Sequence, residues 1–121
     1  GLSFTVEGRG MVFVLYLAVS ENIRSTGIGS EILSYLKNLY GKPLTLNIEP
    51  TDDTADNADE RRRRYSFYER NGFYNTGYLL RDTQMTYTVL STAKDFLPDV
   101  YYETLLGIHP GGLGMPEILK K

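Results

Sequence analysis

At 121 residues, 41% hydrophobic and 23% charged, the chain amounts to about one domain and is neither a disordered polymer nor a membrane protein by composition. It has no cysteine, which excludes disulfides, thiolate zinc sites and cysteine nucleophiles, and its single histidine argues against a histidine-rich metal site or a Ser-His relay. Thirteen basic and fifteen acidic residues, for a net charge of -2, argue against bulk attraction to nucleic acid or an anionic membrane.

The longest apolar run, Met11–Val19, is about half of what a membrane span needs. No signal-peptide pattern opens the chain, so a cytoplasmic location is the default expectation. Residue 1 is Gly, and Leu2-Ser3-Phe4-Thr5-Val6 alternates like a strand from the outset, as in a fragment or a processed product.

Phe4–Val6 and Met11–Val19 flank Glu7-Gly8-Arg9-Gly10, a glycine-rich turn that predicts a hairpin. The second run is apolar on both faces and reads as a central strand covered on both sides. Polar Ser20–Thr26 leads into Gly27-Ile28-Gly29. Ile28, Ile32, Leu33, Leu36 and Leu39 then fall at helical spacing, and Gly41 with Pro43 stops a helix predicted over about 27–40. Leu44, Leu46 and Ile48 alternate as a short strand ending at Pro50. Glu49–Glu60 holds six acids in twelve residues and must be solvated.

Arg61–Arg64, Tyr65, Phe67 and Tyr68 follow, closed by Asn71-Gly72. Acids in a first turn, bases later and a terminal glycine describe a helix aligned with its dipole. Asp59 with Arg63 and Glu60 with Arg64 are expected i,i+4 pairs. Gly72–Leu80 and Gln84–Leu90 are strand-like around an Arg81-Asp82-Thr83 turn, and Ser91–Lys121 reads as a tail with a short helix near Pro98–Leu106. Two strand–helix–strand crossovers demand parallel pairing at the centre, and the last two strands form an antiparallel hairpin. The predicted class is α/β or α+β, a mixed sheet in three layers, with a core over 1–90 and an extension over 91–121 packed on the same domain.

The segment richest in chemistry is Arg24-Ser25-Thr26-Gly27-Ile28-Gly29-Ser30, between a buried strand and a helix. Glycine lets a ligand approach the main chain, and the free N–H groups of a first helical turn form an anion site suited to phosphate or pyrophosphate. The P-loop is excluded because Ser30 and Glu31 follow Gly29, and the dinucleotide fingerprint because Ile32 stands where a small residue belongs. Gly-x-Gly alone also fits a tight turn with close helix–strand packing.

Arg24-Ser25-Thr26-Gly27-Ile28-Gly29, directly after apolar Leu17-Ala18-Val19, resembles the acetyl-CoA loop of the GNAT N-acetyltransferase superfamily. Phe67-Tyr68-Glu69-Arg70-Asn71-Gly72-Phe73 resembles the second motif of that superfamily, at the expected distance. Leu46-Asn47-Ile48-Glu49-Pro50, with Asp56-Asn57 and the arginine run, is similar to one group of bacterial members whose substrates are mostly unassigned. The resemblance implies a central parallel strand pair that splays to receive the pantetheine arm of acetyl-CoA, here along Leu17, Ala18 and Val19 facing the edge at Leu46–Ile48. It implies further that main-chain N–H groups from Arg24 to Ser30 hold the pyrophosphate, that Val19 N–H faces the thioester oxygen, and that Tyr68 is the general acid to the coenzyme sulfur. It also implies strands and two helices ahead of the first element here, whose absence opens a sheet edge to a second copy of the chain, as in a homodimer.

Arg61, Arg64 and Tyr68 share one helical face, so either arginine is expected to contact the coenzyme, although many members carry Asn and Ala there. Arg62 and Arg63 are expected to pair with the acidic loop. Glu49 is the best-placed general base, with Glu21 and Asn47 (through a water) as competitors and a plain surface acid as the alternative. His109 sits in the Pro/Gly-rich tail outside both motifs and carries no assigned role. Asp52-Asp53 with Asp56 lacks the glycine and closing Glu of a calcium loop, so no metal is expected. The leading reading is direct acetyl transfer from acetyl-CoA to a primary amine of a small molecule or peptide. An acyl-CoA-binding module without turnover is the alternative, and a nucleic-acid-binding domain built on Arg61–Arg64 is opposed by the net charge.

Overall fold

The computed structural model, which describes residues 2–18 and 27–121, follows the order β1 (Leu2–Glu7), β2 (Val12–Ala18), α1 (Ile28–Tyr40), β3 (Leu44–Ile48), α2 (Ala58–Arg70), β4 (Tyr74–Arg81), β5 (Thr86–Ser91), α3 (Pro98–Leu106) and β6 (Glu117–Lys120). The strands form one six-stranded sheet in the order β1-β2-β3-β5-β4-β6. β1 and β2 are the predicted hairpin, its turn closed by the Gly8 N–H donating to the Met11 carbonyl at 2.8 Å. β2 and β3, joined through α1, are parallel.

Two topological details depart from the sequence reading. The second crossover does not place β4 beside β3, because β5 inserts between them and pairs antiparallel with both. The chain's end is not an irregular tail but a further strand, β6, antiparallel to β4 with Leu80 opposite Ile118. Four residues are too few to show a strand period, so that pairing is visible only in three dimensions.

Alternation along β2 sends successive side chains to opposite faces. Val12 and Val14 join Leu33 and Leu36 of α1, Tyr68 of α2, and Leu44, Leu46 and Ile48 of β3. Met11 and Phe13 join Leu80, Val89, and Tyr101 and Leu105 of α3 on the other face. The layers are therefore α1 and α2, the sheet, and α3. The buried stripe of α1 runs through Gly29, Leu33 and Leu36, whereas Leu39 is 56% exposed. Each i+3 step rotates the stripe by about 60°, which by Leu39 has carried it off the sheet.

α3 docks closely on the β1–β2 turn. A Cβ on Gly8 would lie 2.2 Å from Thr104 Oγ1, and one on Gly10 would lie 2.8 Å from Val100 Cγ1. The Tyr101 ring is fully buried and its hydroxyl donates to Asn47 Oδ1 on β3. Gly8→Ala is therefore expected to destabilise the fold by about 1–3 kcal/mol through overpacking. Adding Thr104→Ala should recover part of that loss in a double-mutant cycle by chemical denaturation, and strictly additive losses would contradict this docking.

Candidate functional site

α1 begins on Gly27, whose φ of +84° is the left-handed conformation that favours glycine, and beyond its own neighbours along the chain no described atom lies within 4 Å of where its Cβ would stand. The Glu31 N–H closes the first helical bond onto the Gly27 carbonyl at 3.0 Å. The N–H groups of Ile28, Gly29 and Ser30 therefore have no acceptor inside the helix and lie at its positive end. Of the expected coenzyme-binding residues, Gly27, Ile28, Gly29 and Ser30 sit at this terminus, and Leu17 and Ala18 end β2 opposite Ser3 and Leu2 of β1. Val19, Arg24, Ser25 and Thr26, with Glu21, lie outside the described residues.

The parallel pairing of β2 with β3 covers Val12 opposite Leu44 and Phe13 opposite Thr45, and goes no further among the described residues. β2 nevertheless continues to Ala18, and β3 to Ile48, still paired with β5 on its far side. A wedge thus opens between two adjacent strands, leaving main-chain groups of Leu15–Ala18 and Leu46–Ile48 without a strand partner on the sides that face each other. Unpaired strand edges of this kind accept an extended ligand as they would another strand.

Tyr68 lies on α2 with its ring edge-on to Phe67 and Phe73, at centroid distances of 5.2 and 5.3 Å. Its side chain is buried, yet its hydroxyl has no partner among the described residues and none of their buried side-chain polar atoms is unsatisfied, so the hydroxyl reaches the surface. Burial raises its pKa, partly offset by the nearby Arg64 charge. One turn away the acidic loop and the arginines interlock. Arg61 Nη2 lies 2.8 Å from Glu49 Oε2, and Arg64 Nη1 lies 3.3 Å from Glu49 Oε1. Arg61 also donates to Asn57 Oδ1 at 2.8 Å and to the Pro50 carbonyl at 3.2 Å.

The two guanidiniums expected on the coenzyme are thus turned onto Glu49, and both oxygens of Glu49 are engaged. Arg62 pairs with Asp53 at 2.6 Å as expected, and also with Asp59, which replaces the anticipated Asp59–Arg63 pair. Arg64 keeps the expected bond to Glu60 at 3.1 Å. One arginine bridging two acids explains the shift: Arg62 points back toward the loop, where Asp53 adds a second anion.

On the α3 side of the sheet lies a cavity of about 520 Å³, lined by Phe13, Val14 and Leu15 of β2, Asn47 of β3, the β4–β5 turn and the segment from Leu105 to Pro116. Phe13 and Val14 point to opposite faces, so the cavity meets the edge of β2 where its pairing with β3 stops, and not merely one face. Its polar walls include Asp82, Tyr87 and His109. None of these carried a role in the sequence reading, because a turn aspartate, a strand tyrosine and a tail histidine are locally unremarkable and only the fold assembles them. The size is within the range of small-ligand pockets.

No protein-family model matches the chain. A Bacillus subtilis (strain 168) protein described as "Putative acetyltransferase YjbC" is 37% identical over 67 residues, which is 55% of this chain and 33% of that protein. The chain thus spans about a third of the length of the curated relative it matches. A solved structure described as a "Putative acetyltransferase from GNAT family" from Bacteroides thetaiotaomicron superposes with a TM-score of 0.63 at 18% identity, covering 93% of this chain and 65% of that one. Arabidopsis thaliana Naa50, in complex with the bisubstrate analogue CoA-Ac-MVNAL, gives 0.55 at 17% identity, covering 75% and 63%. The chain has the fold of these GNAT-family structures, and its partial sequence match is to a protein described as an acetyltransferase.

Proposed function

We propose that this chain binds acetyl-CoA and supports transfer of its acetyl group to a primary amine of a small molecule or peptide. The observation that carries the reading is the wedge between β2 and β3, opening beside a helix N-terminus that starts on a left-handed glycine. The donor set suits the coenzyme: three free main-chain N–H groups at Ile28, Gly29 and Ser30 for a diphosphate, and two facing strand edges for the amides of a pantetheine arm. Naa50 was solved with a coenzyme A bisubstrate analogue on the same fold, which supports both the donor and a peptide-type acceptor.

The coenzyme, when bound, supplies an acetyl thioester. Tyr68 then does the proton work on the leaving side. Burial keeps its hydroxyl protonated above the ordinary tyrosine range, so at neutral pH it holds a proton to donate. With both oxygens of Glu49 in ion pairs, that residue is better suited to bracing the end of β3 against α2 than to accepting the amine's proton, which passes to solvent at the open wedge. Arg61 and Arg64 take part in the same brace. The acceptor enters from the opposite face, through the cavity that reaches the β2 edge. Donor and acceptor would then meet in the wedge, as direct attack in a ternary complex requires.

Calorimetric titration tests the coenzyme half. Gly27→Glu places a carboxylate at the positive helix end, and acetyl-CoA affinity should fall by about tenfold or more while the melting temperature shows that the fold persists. Unchanged affinity would contradict the diphosphate seat. Tyr68→Phe removes only the hydroxyl, and kcat should fall by about 10²–10⁴ with acetyl-CoA affinity retained. An unaltered kcat would take Tyr68 out of the reaction.

A further inference from the structure

The walls of the cavity on the α3 side differ from the rest of the surface in charge. Among the described residues no lysine or arginine lines this cavity, and the carboxylate that does is that of Asp82. Asp82 Oδ1 accepts from the Gln84 and Met85 N–H groups at 2.8 and 2.9 Å, which fixes the carboxylate at the β4–β5 turn. Those two bonds hold its pKa below the ordinary aspartate value, so the group is a persistent anion and a poor proton acceptor. Tyr87, across the turn, also lines the cavity, and burial first, then the charges of Asp82 and Glu49, push its pKa up. Deeper in, Asn47 Oδ1 is taken by the Tyr101 hydroxyl, which leaves the Asn47 amide N–H₂ as the group this side chain can offer a ligand.

We propose that this cavity selects amine acceptors that carry a second, cationic group, with the Asp82 carboxylate as its counter-charge. The inference rests on the reading of the chain as an amine acetyltransferase and adds the substrate class to it. The reacting nitrogen must be neutral at the β2 edge, whereas the mouth of the cavity at Asp82 favours a positive charge, so a diamine satisfies both ends. A carboxylate this exposed supports a modest preference rather than an absolute one, about two- to fivefold.

The test compares 1,4-diaminobutane with 4-aminobutanol, which have nearly the same length and differ by one charge. Both are titrated calorimetrically into the coenzyme A-loaded chain and into the coenzyme-free chain, and their KM values are measured with acetyl-CoA. The diamine should bind about two- to fivefold more tightly, and Asp82→Asn, which keeps the oxygen that accepts from Gln84 and Met85, should remove that preference. Gln84→Glu, adding a second carboxylate to the same wall, should widen it. Equal binding of the two probes by the unaltered chain, or a preference that survives Asp82→Asn, would overturn the proposal. Failure of acetyl-CoA to bind, with the diamine preference intact, would instead sink the transferase reading and leave the cation site standing.

Discussion

Everything in the proposed chemistry depends on how early β2 and β3 part. Their parallel ladder holds two residue pairs, after which each strand is held only from outside, β2 by β1 and β3 by β5. The separation is built in. Asn47, on β3 just beyond the last pair, is anchored by Tyr101 of α3, and Thr45 is locked onto Ser91 of β5 by a buried hydroxyl pair at 3.1 Å. Main-chain N–H and C=O groups left without partners must find them in solvent or in a ligand. A thioester carrier with amides along its arm can meet that demand.

The two faces of the sheet divide the work. α1 presents its unpaired N-terminal N–H groups, the proposed diphosphate seat, and α2 brings Tyr68, both on one side, while α3 and the segment that follows it wall a cavity on the other. The wedge connects them. The arginine-rich start of α2 acts on this geometry at a distance: Arg61, with a side chain only 14% exposed, links Pro50, Asn57 and Glu49 and so ties the end of β3 to the helix that carries Tyr68. Such a brace fixes the position of α2, and with it the Tyr68 hydroxyl, relative to the end of β3.

Local chemistry made the elements legible. Leu44, Leu46 and Ile48 could only be a short strand, and α2 was marked by its charges and its closing glycine, because period and capping act over a few residues. The Gly27–Ser30 helix start and Tyr68 were readable for the same reason, each within a contiguous motif. What the sequence concealed was long-range. The insertion of β5 between β3 and β4, the pairing of β6 with β4, and the pairing of Arg61 and Arg64 with Glu49 all join residues that no local pattern connects. Asp82, Tyr87 and His109 meet in one cavity only because the hairpin turn and the segment after α3 converge on the splayed strand.

Amide hydrogen exchange, with and without acetyl-CoA, addresses the wedge most directly. The account predicts that the coenzyme slows exchange selectively at Leu15–Ala18, Leu46–Ile48 and Ile28–Ser30, with β4 and β6 unchanged. Protection spread evenly over the sheet, or full protection of the β2 and β3 edges before any coenzyme is added, would contradict it.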